Sequence, residues 1–242
     1  MWLNRRVKKI PILVVLPHST SYLPEKVITK MRISKKIRDG YFDVGSKEVF
    51  DLPNLTLKLA KYSRLYCDLN RAPDQVGENN MKNRKGVVLL RTMQGYQVYK
   101  KFLEKSDYLE RIKEYEAYFA EVKKIIKKEK PCFLIAAHTM LPHHSWDIVI
   151  SNNDHCTCSA NAINLLKFEF EKAGYSVSIN NPFKGGFLIN YFCHRDRLRG
   201  IQIEFSRRLI ADKKSSELKP NLLSLHNKKI TQVIQNFYKK IK

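Results

Sequence analysis

Ile10-Pro11-Ile12-Leu13-Val14-Val15-Leu16-Pro17-His18 is the stretch from which the architecture can be read. An unbroken apolar run rich in β-branched residues, closed by a proline, reads as a buried strand. The pattern recurs at Phe133-Leu134-Ile135-Ala136-Ala137-His138, bounded by Pro131 and a histidine. Both runs are too short for a core helix, and both hand over directly to a polar segment carrying an imidazole. The predicted strands are residues 10–16 and 133–137.

Outward from these two runs, strand and helix patterns alternate. Residues 55–62 read as a short amphipathic helix, residues 64–68 as a short strand, and residues 85–90, with Val87 and Val88, as another. Residues 99–130 are strongly helical: Leu103, Leu109, Ile112, Tyr115, Tyr118, Phe119, Val122, Ile125 and Ile126 recur at three- and four-residue spacing among charges. Residues 147–150 form a further strand, and residues 159–173 a helix with Gly174 placed for its C-terminal cap. Residues 175–179 and 200–205 are the last strands, and a basic helix covers 222–241. Such alternation predicts an α/β fold, a mixed and mainly parallel sheet with helices on both faces. Ligands of such sheets bind beyond the carboxyl ends of the strands. With no internal repeat and no low-complexity linker, residues 1–242 are expected to form one domain.

Composition narrows the function classes. With 43% apolar residues in a chain of 242, a sizeable core needs no disulfide staples. Residues 1–9 are basic, but the apolar run behind them is short and ends at Pro17, unlike a signal peptide, and no stretch is long enough to span a bilayer. Five irregularly spaced cysteines (Cys67, Cys132, Cys156, Cys158, Cys193) predict reduced thiols and a cytoplasmic protein. The net charge of +22, from 45 Lys and Arg against 23 Asp and Glu, raises the question of a polyanionic partner. The lysines are spread along the chain, as at Lys123, Lys124, Lys127, Lys128, Lys239, Lys240 and Lys242, with no RNP-like motif or zinc-finger spacing. No specific nucleic acid is therefore expected; the charge reads as a solvated surface that also steers a small anion. A basic nucleic-acid-binding protein on a hydrolase scaffold stands as the non-enzyme alternative.

Several polar residues fall where chemistry is expected. His18 and His138 follow the two central strands and are placed to converge on one ion, and imidazole is a preferred zinc ligand. A catalytic zinc takes a third protein ligand and leaves a position for water; Asp43 is the candidate, with Glu25 as the alternative. Glu204 interrupts the apolar strand Ile201-Gln202-Ile203-Glu204-Phe205, where a carboxylate is costly unless functional or paired with Arg207 or Arg208. Beside a metal ion it is suited to take a proton from water. Asp68-Leu69-Asn70-Arg71 offers an Asn-Arg pair to grip a carboxylate, and Arg64 is placed to polarise a carbonyl. In Asn181-Pro182-Phe183-Lys184-Gly185-Gly186 the glycines permit a tight loop in which Lys184 approaches a ligand. His143 and His144 lie in the loop after His138, and His155-Cys156-Thr157-Cys158, lacking a matching pair elsewhere, reads as a turn with a buried thiol.

In chain order, Pro17-His18-Ser19, Asp43-Val44-Gly45, Ser63-Arg64, Asp68-Leu69-Asn70-Arg71, His138-Thr139-Met140, Asp147-Ile148-Val149, Asn181-Pro182-Phe183-Lys184-Gly185-Gly186 and Gln202-Ile203-Glu204 resemble the N-formylglutamate amidohydrolase family. That family is distantly similar to zinc carboxypeptidases and to aspartoacylase. The resemblance implies a three-layer α/β/α, zinc-exopeptidase-like (phosphorylase/hydrolase-like) fold, one Zn2+ per chain, and a late-strand glutamate as base, which falls on Glu204. It also implies a small anionic N-acyl amino acid as substrate, N-formyl-L-glutamate foremost, with a carboxypeptidase or another deacylase as the related alternative. Two departures are visible. Ser21 stands where the carboxypeptidase His-x-x-Glu pair has its glutamate, which leaves the third ligand between Asp43 and Glu25. Tyr118-Phe119 stands where the family has a Tyr-His pair.

Overall fold

β1 (Ile12–Leu16) and β3 (Phe133–Met140) lie side by side in the interior of a six-stranded sheet, and every residue of both is buried. The computed structural model describes residues 9–73, 86–142, 145–195, 198–212 and 217–241. The other strands are β2 (Thr56–Leu59), β4 (Ile148–Ser151), β5 (Val177–Ile179) and β6 (Gly200–Ser206), and the sheet order is β2-β1-β3-β6-β4-β5. β2, β1, β3 and β6 run parallel, whereas β4 meets β6 antiparallel and carries β5 parallel to itself. The sheet is thus mixed and mainly parallel.

The helices are α1 (Glu25–Ile28), α2 (Lys35–Asp39), α3 (Ser46–Phe50), α4 (Lys105–Glu129), α5 (Ala160–Lys172), α6 (Phe187–Arg195) and α7 (Pro220–Ile241). Strand alternation sorts them into two layers. Leu13, Val15, Leu134 and Ala136 point to one side, against Tyr115, Phe119 and Val122 of α4 and Leu188 and Phe192 of α6. Ile12, Val14, Phe133 and Ile135 point to the other, against Phe50 of α3, Ile163 and Leu166 of α5, and Ile230, Ile234 and Phe237 of α7. Each of the larger of these side chains contributes roughly 1.5–3 kcal/mol on burial, so these strands are fixed in register from both faces. The architecture is α/β/α.

Five sequence expectations are corrected. Residues 55–62 hold strand β2 in place of a helix. Leu55, Leu57 and Leu59 pack on the core with a period of two, while the Lys58 ammonium lies over the Tyr118 ring. Residues 64–68 form a turn, not a strand: the amides of Tyr66 and Cys67 return to the Ser63 carbonyl, at 2.8 and 3.3 Å. Of residues 85–90, Lys85 lies outside the described residues, and 86–90 form bends; Val87 and Val88 are buried without joining the sheet. The long helix starts at Lys105, not at 99, because the chain before it pairs elsewhere. Tyr99 bridges to Met31, Lys100 N–H donates to the Lys30 carbonyl at 2.9 Å, and a Glu104–Asp107 capping box marks the start. β3 also runs on to Met140, so His138 is inside the strand, not beyond it. Among the described residues no helix is long and apolar enough to cross a membrane.

Candidate active site

Two strands and two loops deliver the site. His18 follows β1 by two residues, and His138 sits in β3 opposite Glu204 of β6 in the parallel register. The loop between α2 and α3 is tied to both. Asp43 N–H donates to the His18 carbonyl at 2.8 Å, and the Thr139 hydroxyl donates to the Val44 carbonyl at 3.1 Å. Gly45 turns this loop at φ +79°, and a Cβ there would lie 2.6 Å from Ile210 Cδ1, so only glycine satisfies both the angle and the space. Asp43 is thereby held over the ends of the two central strands.

Asp43 Oδ2 lies 2.8 Å from His138 Nδ1 and 3.6 Å from His18 Nδ1, and the ligand atoms of the three residues fall within 4.8 Å of one another. All three are buried. His18 Nε2 donates to Asp68 Oδ1 at 2.7 Å, which fixes the tautomer and leaves Nδ1 with its lone pair. That Nδ1 is buried, has no hydrogen-bond partner, and faces the carboxylate. An unsatisfied buried acceptor costs on the order of 1–3 kcal/mol, and a cation between Nδ1 and Asp43 would relieve it. Two imidazole nitrogens and one carboxylate oxygen form a donor set that suits zinc and leaves room for a non-protein ligand. The residues therefore fit the ion that the resemblance implies. Glu25, the alternative third ligand, is exposed at the start of α1 and takes no part in this group.

Charge around the three residues is layered. Burial pushes the Asp68 carboxyl up, but Arg64 and His18, with Arg71 behind them, outweigh it and hold it well below the usual carboxylate range. Arg64 donates to Asp68 Oδ2 from Nη2 at 2.6 Å and from Nε at 3.1 Å. Burial also works to raise Asp43, and the hydrogen bond with His138, together with the adjacent His18 ring, overcomes it, so this carboxyl too stays ionised. Glu204 behaves oppositely. Burial, reinforced by the Asp43 charge, pushes it up to about 7 despite the opposing pull of His138 and Arg64. Its Oε1 accepts from Gln202 Nε2 at 3.0 Å. Arg207 borders the group, its Nη2 3.9 Å from Asp43 Oδ1, while Arg208 is engaged with Asp147. Arg207 donates to the Phe42 carbonyl (2.7 Å) and Thr139 Oγ1 (3.2 Å), and Arg208 to Asp147 Oδ1 (2.7 Å).

The expected substrate-binding residues lie at different depths. Asn70 is buried, with Nδ2 3.4 Å from His138 Nε2 and Oδ1 accepting from Leu188 N–H at 3.1 Å. Arg71 leaves about a third of its side chain exposed, 35%, beside Asp68. Lys184 is solvated and paired with Asp154 at 2.8 Å, so its ammonium is turned to the Asp154 turn in this state. Asp68 and Gln202 stand within the motifs, yet the sequence alone assigns neither a role. Their signal is that each is polar, buried, and one or two residues from a residue that was singled out. The His155–Cys158 tract stands apart: Cys156 is exposed, Cys158 is buried, and the His155 ring faces the Asn152 amide. His143 and His144 lie outside the described residues.

A family model described as N-formylglutamate amidohydrolase matches residues 10–211. Among solved structures, the chain is similar to an N-formylglutamate amidohydrolase from Ralstonia eutropha JMP134, at 20% identity and a TM-score of 0.82, covering 97% of this chain and 95% of that one. It is likewise similar to a gene product from Agrobacterium tumefaciens, at 18% identity and a TM-score of 0.77, covering 97% and 92%. At these identities the likeness is one of fold. No curated protein matches the chain.

Proposed function

Since this chain belongs to the N-formylglutamate amidohydrolase family, we propose that it is a zinc-dependent amidohydrolase that cleaves the amide bond of an N-acylated acidic amino acid, with N-formyl-L-glutamate the foremost substrate. The observation that carries the reading is the buried His18–Asp43–His138 group, with its unpartnered His18 Nδ1, beside a carboxyl raised to about 7. His18 Nδ1, His138 Nδ1 and Asp43 Oδ2 would hold the ion. When bound, the ion supplies Lewis acidity: it polarises a carbonyl oxygen and brings the ionisation of water towards neutral pH.

Glu204 accepts the proton released as water oxygen bonds to the acyl carbon, then returns it to the amide nitrogen as the C–N bond breaks. The products are a carboxylate and an amine. In the metal-free site burial raises this carboxyl to about 7, a direction that suits a group which must both take and return a proton. Asp68 keeps the His18 tautomer, and Arg64, anchored on Asp68, turns its remaining donors towards the developing oxyanion. Asn70 and Arg71 hold the substrate carboxylates, joined by Lys184 once it exchanges Asp154 for the ligand. The five free cysteines support a reducing, cytoplasmic setting.

Steady-state hydrolysis of N-formylglutamate and N-formylglutamine by the zinc-loaded protein tests the substrate assignment. A hydrogen bond to a charged group is worth roughly 1.5–3 kcal/mol, so kcat/KM should favour the glutamate by about tenfold or more. Arg71→Ala should shrink the ratio, and Arg208→Ala should leave it unchanged. Equal efficiencies on the wild type would remove the acidic-substrate assignment.

A further inference from the structure

We propose that Gln202 is a positioning residue: its amide ties the proton-accepting carboxylate of Glu204 to the glycine loop at residues 185–186, so that one carboxylate oxygen is fixed and the other is presented for proton transfer. The proposal rests on the reading of Glu204 as the proton acceptor. Gln202 and Glu204 are two residues apart on β6 and so project from the same side of the sheet. Gln202 is 4% exposed, and both ends of its amide are used. Nε2 donates to Glu204 Oε1 at 3.0 Å, and Oε1 accepts from Gly186 N–H at 2.7 Å. Flipping the amide would set N–H against N–H at one end and oxygen against oxygen at the other, so the two bonds define a single orientation.

The far end of the link is equally constrained. A Cβ on Gly186 would lie 2.1–2.3 Å from the Asn70 amide, so the loop backbone sits directly on a side chain placed for substrate. The Asn70 amide is itself fixed by Leu188 N–H and faces His138. Glu204, Gln202, Gly186 and Asn70 therefore form one connected row beside the candidate ligands, and the Gln202 amide spends its hydrogen bonds on Glu204 and Gly186. Because Oε1 of Glu204 is committed to Gln202, Oε2 is the oxygen left to take the proton. A misplacement of about 1 Å at such a group costs on the order of 10²-fold in rate.

The test compares wild type, Gln202→Met (similar volume, no polar amide), Gln202→Asn (amide kept, too short to span both partners), Glu204→Gln and the Gln202→Met/Glu204→Gln double variant, all zinc-loaded. Zinc affinity should stay within about threefold of wild type in both Gln202 variants. On N-formylglutamate kcat should fall about ten- to a hundredfold with KM within about threefold. The double variant should be no slower than Glu204→Gln alone, because Gln202 acts only through Glu204. A merely structural role would instead raise KM or lower zinc affinity, or multiply the defect of Glu204→Gln; any of these, or an unchanged kcat, overturns the proposal. Should Gln202→Met not fold, Gln202→Asn is scored on the same measures. If wild type turns over no N-acyl amino acid, the functional reading fails separately. Crystal structures of the zinc-loaded Gln202 variants then decide the link: a Glu204 carboxylate that has rotated supports it, and one unmoved from its wild-type position overturns it.

Discussion

Replacing Asp68 by Asn preserves shape and removes one charge at the point where the site is most tightly bound together. Asp68 is fully buried and accepts from His18 Nε2 (2.7 Å), from Arg64 (2.6 and 3.1 Å) and from the Asn70 backbone N–H (3.0 Å). An asparagine has one acceptor oxygen for partners that need two. If that oxygen stays on His18 and Asn70, the new NH2 faces the Arg64 guanidinium, donor against donor. If the amide flips, the His18 N–H loses its acceptor and the tautomer is no longer fixed. The first arrangement costs on the order of 1–3 kcal/mol of stability. The second weakens the metal, and outer partners of ligating histidines are typically worth 10–100-fold in affinity. Asp68→Asn should therefore lower zinc affinity by 10–100-fold, about 1.4–2.8 kcal/mol at a tenfold per 1.4 kcal/mol. Competition against a chelator of known affinity measures this, with thermal melts of the metal-free protein run in parallel. A change in affinity below about threefold would refute the view that Asp68 sets the His18 tautomer for a metal.

Two further outcomes follow from the carboxyls. Glu204→Gln should keep the zinc while turnover falls about 10²-fold or more, read by elemental analysis and kcat together; near-normal turnover would reduce Glu204 to a buried structural acid. In the metal-free protein, a carboxyl raised from 4.5 to about 7 binds more protons folded than unfolded between those values, so stability should fall as pH rises through that window, by up to about 1.4 kcal/mol per pH unit. Glu204→Gln should flatten that slope in urea titrations taken across pH 4.5–7, and an unchanged slope would show that burial does not raise this group.

The two histidines were legible because each stands at the end of an apolar run, and a run buried on both faces declares itself in any sequence. Glu204 was legible for the same reason: a charge inside such a run is conspicuous. Asp43 was only one of two options, since nothing local distinguishes a loop aspartate from Glu25. Tertiary contacts bring Asp43, and not Glu25, to the two histidines: its N–H on the His18 carbonyl and its Oδ2 on His138. The 64–68 turn misled because Leu65 and Cys67 alternate like a strand, yet their amides bond locally and the residues pack on the core without a ladder. Residues 55–62 misled in the opposite way, as a short edge strand whose leucines also fit a helical stripe. The partners of Gln202 and Asp68 left no trace in the sequence, because an amide or carboxylate takes its meaning from what folding brings within 3 Å.

The central claim is that His18, Asp43 and His138 hold one catalytic ion. Zinc titrated into chelator-stripped protein by calorimetry tests it most directly, with His18→Ala and His138→Ala measured beside the wild type. The account predicts one tight site per chain in the wild type and its loss in both variants. Tight, stoichiometric binding retained by both variants would contradict it.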